Sequence, residues 1–231
     1  MITIVAHRGA PKFAHENTIK SFLAAVTLGA DMIELDVRKC GDGTLVIFHD
    51  PWLSRASKTA QISRLTLKEI NTRALKKGFT VPTIEEAFCT LSRKTQLDIE
   101  IKEPGYEAKI IDCARRYFDV SQFVLTSFNP QIVAAVKNID PHLQTGFIMA
   151  TAEGLALSDA SPAEVFAPDK RLFAANRQLF AKAKLRGKKI AVWTVDGTEL
   201  LSRLLEDPLV DAIITNHPDR ALALRNKLVR K

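Results

Sequence analysis

The chain has 231 residues, 46% of them hydrophobic and 26% charged, which gives an ordinary globular protein with enough apolar residues for a sizeable core and excludes a disordered or repetitive one. A formal net charge of +7 leaves nucleic acid, an anionic membrane surface or an anionic small substrate as conceivable partners. The basic residues are scattered, however, with clusters only at 182–189 and 225–231 that read as solvated helix faces, and no nucleic-acid-binding motif accompanies them.

The first strand-like run, 2–7, opens the chain with no basic flank and no apolar stretch long enough for a signal peptide or membrane span. Further strand patterns follow at 32–37, 97–101, 123–127, 144–148, 165–167, 189–194 and 211–215. Helical patterns separate most of them, at 18–28, 106–117, 130–138, 171–186, 198–205 and 218–229. Between 149 and 164 the helical pattern is faint. Repeated strand-then-helix order predicts an α/β fold, a (β/α)8 TIM barrel. A doubly wound open sheet is the alternative, but no glycine-rich dinucleotide loop follows the first strand.

A ninth strand candidate, 44–49, follows the turn signal Gly41-Asp42-Gly43 and reads as the return arm of a hairpin, bringing His49 near Asp36. From 51 to 95 no clear strand occurs, and 65–70 and 83–91 look like short helices with Thr at their starts. The expectation is one domain, 1–231, with a small insertion at about 51–95 on the barrel's mouth. Three cysteines, Cys40, Cys89 and Cys113, are odd in number and lack metal-ligand spacing, so they read as free thiols in a reducing compartment, and a cytoplasmic location is expected.

Two strands carry an anomaly. In 32–37, Ile33, Leu35 and Val37 share one face while Glu34 and Asp36 share the other; in 97–102, Asp98, Glu100 and Lys102 oppose Leu97, Ile99 and Ile101. Carboxylates gathered inside a fold need positive compensation, and Glu34, Asp36 and Glu100 offer oxygen ligands suited to a hard cation, Mg2+ or Ca2+. The plainer reading has them neutralised by Arg8 and Lys102 alone.

In barrel enzymes the chemistry sits at the C-terminal ends of the strands. His7, Arg8, Ser127, Trp193, Thr215 and Asn216 fall there beside the carboxylates. His7 and His49, with ordinary pKa values near ~6.5, can divide acid and base roles, although either alone could be structural. Arg8 presents a fork of donors suited to phosphate, or a salt bridge to the acids. Trp193 would wall an apolar part of a ligand or plug the barrel. His15, His142 and His217 are given no role.

The ordered set Ala6-His7-Arg8-Gly9, Glu16-Asn17-Thr18, Glu34-Leu35-Asp36-Val37, His49-Asp50 and Glu100-Ile101-Lys102 resembles the glycerophosphodiester phosphodiesterase family. The match continues through Thr126-Ser127-Phe128, Trp193-Thr194-Val195 and Ile214-Thr215-Asn216. This resemblance implies a (β/α)8 barrel that uses a divalent cation to hydrolyse glycerophosphodiesters to sn-glycerol 3-phosphate and an alcohol. By position it implies that Glu34, Asp36 and Glu100 hold the metal, that His7 and His49 exchange protons, and that Arg8 and Lys102 bind phosphate oxygens. Two departures stand out: His15 where proline is usual, and Asn216 where aspartate is frequent.

The expected reaction uses one histidine to take a proton from the nucleophile and the other to protonate the departing alcohol. The nucleophile would be the substrate's own glycerol 2-hydroxyl, passing through a cyclic phosphate, or water. The rival readings are a phospholipase D or lyase acting on lysolipids or sphingolipids, and a catalytically silent barrel that binds a phosphorylated ligand. A small-molecule substrate is the partner expected, without nucleic acid or stable membrane insertion.

Overall fold

The computed structural model describes residues 1–54 and 59–229. Residues 55–58 of the expected insertion, and Arg230 and Lys231 of the C-terminal basic cluster, lie outside the described residues.

Eight parallel strands close into a barrel in the order β1 (Thr3–Ala6), β2 (Met32–Lys39), β6 (Gln96–Ile101), β7 (Phe123–Ser127), β8 (Thr145–Met149), β9 (Val165–Pro168), β10 (Lys189–Val192) and β11 (Ala212–Thr215). Closure comes from β1, which pairs with β11 on one side and β2 on the other. Alternation decides the faces. Ile33, Leu35 and Val37 point outward into a core shared with Phe22, Phe88 and Ile110 of the surrounding helices. The barrel interior has its own small apolar cluster, built on Val5, Ala167, Ala191 and Ile214.

The Gly41-Asp42-Gly43 turn does form a hairpin: β3 (Leu45–Ile47) runs antiparallel to β2 with Val37 opposite Ile47, and Gly43 takes the left-handed φ of 85° that favours glycine. Beyond it, β4 (Trp52–Ser54) and β5 (Thr59–Gln61) make a second small hairpin, and α2 (Leu67–Leu75) follows with a capping box between Thr66 and Glu69. A third helix, α3 (Ile84–Leu91), starts on a matching box at Thr83 and Glu86. The sequence pattern alone places it in the mouth insertion. Its buried residues join the outer core and it packs between α1 (Ile19–Leu28) and α4 (Glu107–Arg115), so it serves as the outer helix of the second repeat.

The outer ring continues with α5 (Pro130–Ile139), the short α6 (Ala152–Ala156) where the pattern is faint, α7 (Lys170–Ala175), α8 (Arg177–Leu185), α9 (Thr198–Leu205) and α10 (Pro218–Val229). The helix expected over 171–186 is broken in two at Asn176, whose side chain donates to the Leu172 carbonyl at 2.9 Å and so competes with the helical ladder. Among the described residues no helix is long and apolar enough to cross a membrane.

Candidate active site

The mouth of the barrel is assembled from strand ends. Strand register sets Asp36 directly beside Glu100 and Glu34 beside Asp98, and all four are buried. Ligand oxygens of Glu34, Asp36 and Glu100 lie within 4.8 Å of one another. Lys102 bridges two of these acids, with Nζ 2.7 Å from Asp36 Oδ1 and 2.5 Å from Glu100 Oε1. Arg8 places Nε 3.3 Å from Asp36 Oδ2, and its Nη1 reaches Glu16 at 2.9 Å.

The Arg8 backbone is part of the device. Arg8 adopts a left-handed φ of 56° and Gly9 one of 86°, a conformation that costs a non-glycine residue roughly 1–3 kcal/mol and is held only where surroundings enforce it. The tight bend aims the Arg8 amide at Glu34 Oε2, to which it donates at 2.8 Å. A Cβ on Gly9 would lie 2.5 Å from Ser21 Oγ and 2.7 Å from the Ser21 carbonyl carbon, so only glycine fits.

Asp36 is gripped from a third direction by Asn17, whose Nδ2 donates to Oδ2 at 2.6 Å. Burial would raise the Asp36 pKa, but Lys102 and Arg8 hold it below the ordinary carboxylate range. Its neighbours differ. Burial, with Asp36 and Glu100 adding repulsion, pushes Glu34 well above its usual value; burial lifts Glu100 to about 7 against the pull of Lys102, and Asp98 to about 6. Glu34 Oε1 is buried with no hydrogen-bond partner, and among the described residues no lysine or arginine pairs with Glu34. Three close carboxylates served by two cations, with one oxygen orphaned, are short of positive charge, so this donor set fits a hard divalent cation.

His7 directly follows the first strand. Its Nδ1 lies 2.8 Å from Asn216 Oδ1, and its Nε2 faces Glu34 Oε2 at 3.9 Å. His49 follows β3, with Nδ1 2.7 Å from Asp50 Oδ1. Its carbonyl accepts from Arg38 Nε at 2.8 Å, and Arg38 in turn pairs with Glu103. Burial first, then neighbouring positive charge, lowers both histidines, His49 to about 4. Trp193 is half-buried: its indole N–H donates to the Ala167 carbonyl at 2.7 Å and its ring meets Phe128 edge-on at 5.4 Å. It caps the inner apolar cluster and also borders a cavity of about 30 Å3 shared with His7, Glu34, Asp98 and Glu100. A wider cleft, about 390 Å3, opens beside His49 and is lined by His15, Glu16, Asn17, Asp50 and Phe79; there the His15 and Phe79 rings stack at 3.7 Å.

The structure thus brings Arg8, Glu34, Asp36, Glu100 and Lys102 together, with His7 set against Glu34, His49 near Asp36 and Trp193 beside the cavity that His7 and Glu34 line. Residues 7–220 match the model of the glycerophosphoryl diester phosphodiesterase family. The chain belongs to that family. Over 97% of its length it is 33% identical to 98% of a glycerophosphodiester phosphodiesterase from Caldanaerobacter subterraneus subsp. tengcongensis. It also superposes on 100% of a glycerophosphodiester phosphodiesterase from Agrobacterium tumefaciens with a TM-score of 0.81 at 26% identity, over 98% of this chain. An Oleispira antarctica phosphodiesterase, solved with the product sn-glycerol-3-phosphate, shares the fold at a TM-score of 0.84 and 24% identity, covering 97% of this chain and 96% of that one. Membership makes the protein an enzyme, a phosphoric diester hydrolase of the glycerophosphodiester class.

Sequence reasoning passed over several residues of this site. Asn17 and Asp50 lie within the motifs, but local pattern gives them no role, and Asp98 shares the Glu100 face without a signal of its own; it accepts from Thr126 Oγ1 at 2.6 Å. Arg38 and Asp196 carried no local signal, because their partners lie across strands in space.

Proposed function

We propose that this enzyme hydrolyses simple glycerophosphodiesters, such as glycerophosphocholine and glycerophosphoethanolamine, to sn-glycerol 3-phosphate and the free alcohol with a divalent cation, Mg2+ or Ca2+. The observation that carries the reading is the carboxylate trio Glu34, Asp36 and Glu100 with His7 set against Glu34 and His49 close enough to influence Asp36. The activity named for the 33% identical relative supports the substrate class.

Glu34, Asp36 and Glu100 would hold the cation, which when bound would offset the phosphodiester's negative charge and stabilise the charge that builds as phosphorus is attacked. Arg8 and Lys102 bind phosphate oxygens while restraining Asp36. One histidine takes a proton from the nucleophile, and the other gives a proton to the departing alcohol oxygen. When the nucleophile is the glycerol 2-hydroxyl, the first step is intramolecular and yields a cyclic phosphate that water then opens. Direct attack by water needs the same two proton transfers. The cleft beside His49 offers space for the alcohol portion, and Trp193 supplies an apolar wall. Three free cysteines, two of them buried, suit a reducing compartment, and we assign the enzyme to the cytoplasm.

Replacing His49 by Ala tests the assignment. The variant loses turnover by about 10²- to 10⁴-fold while calorimetry still detects cation binding, whereas Glu34→Ala loses both; near wild-type turnover in His49→Ala would contradict the acid-base role. Hydrolysis of lysophosphatidylcholine in preference to glycerophosphocholine would instead favour the lysolipid reading.

A further inference from the structure

Asn216, which departs from the residue expected at the end of the last strand, touches His7 directly. Its amide lies between two partners. On one side Asn216 Nδ2 donates to Asp196 Oδ2 at 2.9 Å, and on the other Asn216 Oδ1 faces His7 Nδ1 at 2.8 Å. Asp196 is fixed in turn: its Oδ1 accepts from the Asn216 backbone N–H at 2.9 Å and from Thr215 Oγ1 at 3.2 Å, and its carbonyl accepts from Arg220 Nη1 at 2.6 Å.

The chemistry of the chain runs one way. An ionised carboxylate only accepts hydrogen bonds, so Asp196 dictates that the NH2 of Asn216 turns toward it. Burial would raise Asp196, but the bonds from Asn216 and Thr215 keep it below its ordinary range and therefore ionised. The carbonyl oxygen of Asn216 is then left for His7, and a carbonyl can only accept. His7 Nδ1 must carry the hydrogen, which leaves the lone pair on Nε2. On that side Glu34 Oε2 is 3.9 Å away and already accepts from the Arg8 amide; among the described residues no hydrogen bond places a proton on Nε2.

We propose that Asp196 and Asn216 are positioning residues that lock His7 in the Nδ1–H tautomer, so that Nε2 enters the reaction as the proton acceptor. The catalytic part of this statement rests on the function proposed above; the tautomer itself does not. His7 receives the nucleophile's proton at Nε2, and Nδ1 keeps its own hydrogen on Asn216 throughout. The neutral amide orients the ring without adding charge to it, unlike the carboxylate of Asp50 on His49.

Asp196→Asn is the discriminating change. The new side-chain NH2 faces Asn216, whose amide turns over to offer its oxygen; its own NH2 then meets His7 Nδ1, which has to accept, and the hydrogen moves to Nε2. Swapping the pair, Asp196→Asn with Asn216→Asp, restores an acceptor opposite His7 Nδ1 and so restores the tautomer.

The experiment is long-range 1H–15N correlation of the histidine rings in 15N-labelled full-length protein, with the His7 signals identified by their loss in His7→Gln. The wild type should show a protonated Nδ1 and a bare Nε2, Asp196→Asn the reverse, and the double variant the wild-type pattern. In parallel, kcat on glycerophosphocholine should fall by about 10²- to 10⁴-fold in Asp196→Asn with KM little changed, and recover in the double variant. A wild-type spectrum with the hydrogen on Nε2 overturns the proposal even if neither variant folds. So does an Asp196→Asn protein that is folded and keeps the Nδ1–H tautomer. Absence of glycerophosphodiester hydrolysis by the wild type, with the tautomers as stated, would strike the proposed function and leave the positioning of His7 standing.

Discussion

Lys102 Nζ sits 2.7 Å from Asp36 Oδ1 with both groups shielded from water, and the same ammonium is shared with Glu100. A lysine therefore supplies, within the chain itself, part of the positive charge that the carboxylate trio needs. Burial opposes the charge on Lys102, but Asp36 and Glu100 raise its pKa overall. Removing one member of a buried pair leaves the other uncompensated, at a cost of about 3–5 kcal/mol. Lys102→Met is accordingly expected to lower the stability of cation-free protein by that amount in urea denaturation, and saturating Mg2+ or Ca2+ is expected to recover a large part of it. Recovery by neither cation would contradict a cation site at these carboxylates.

Cation affinity should depend on pH in a defined direction. A carboxylate must lose its proton to act as a ligand, and burial holds Glu34 well above its ordinary value and Glu100 at about 7. As pH falls from 8 to 6, protons compete and Kd rises, by about tenfold per pH unit below the pKa for each proton displaced. Calorimetry in buffers of different ionisation heat should detect proton release on binding near pH 7. A Kd that is flat across this range, with no proton release, would contradict the shifted carboxylates.

Asp98 makes a separate contribution to stability. Its pKa is raised by burial to about 6 in the folded protein against an ordinary 3.8. The folded state therefore holds a proton between pH 4 and 6 that the unfolded chain has given up, and stability falls as pH rises through this window. Two pKa units correspond to about 3 kcal/mol, present as a cost above pH 6 and absent below pH 4. Asp98→Asn can still accept from the Thr126 hydroxyl while carrying no charge. The difference in unfolding free energy between variant and wild type, without cation, should grow by roughly 2–3 kcal/mol in favour of the variant between pH 4 and pH 6.5. A difference that stays constant would mean that Asp98 titrates normally.

Much of this architecture was legible in the sequence because its signals are local. Alternation along 32–37 separated the greasy face of β2 from the acidic one, and the Gly41-Asp42-Gly43 turn gave the hairpin that carries His49. Where two signals compete, reading fails: Asn176 sits in a good helical pattern, yet its side chain takes the Leu172 carbonyl and ends α7. The helix Ile84–Leu91 is legible as a helix but its place in the ring is not, since nothing in its own pattern records that it packs on α1 and α4. The carboxylates and both histidines were readable as exceptions to an apolar rule. The groups that hold them were not: Asn17 to Asp36, Asp196 to Asn216 and Arg38 to the His49 carbonyl are contacts set by barrel closure and hairpin docking, and sequence spacing carries no trace of them.

The most direct measurement is release of sn-glycerol 3-phosphate from glycerophosphocholine and glycerophosphoethanolamine by the purified protein, before EDTA, after EDTA, and after Mg2+ or Ca2+ is restored. Release should disappear with the chelator and return with at least one of the two cations. Release that persists unchanged in EDTA, or no release under any metal, would contradict cation-dependent hydrolysis.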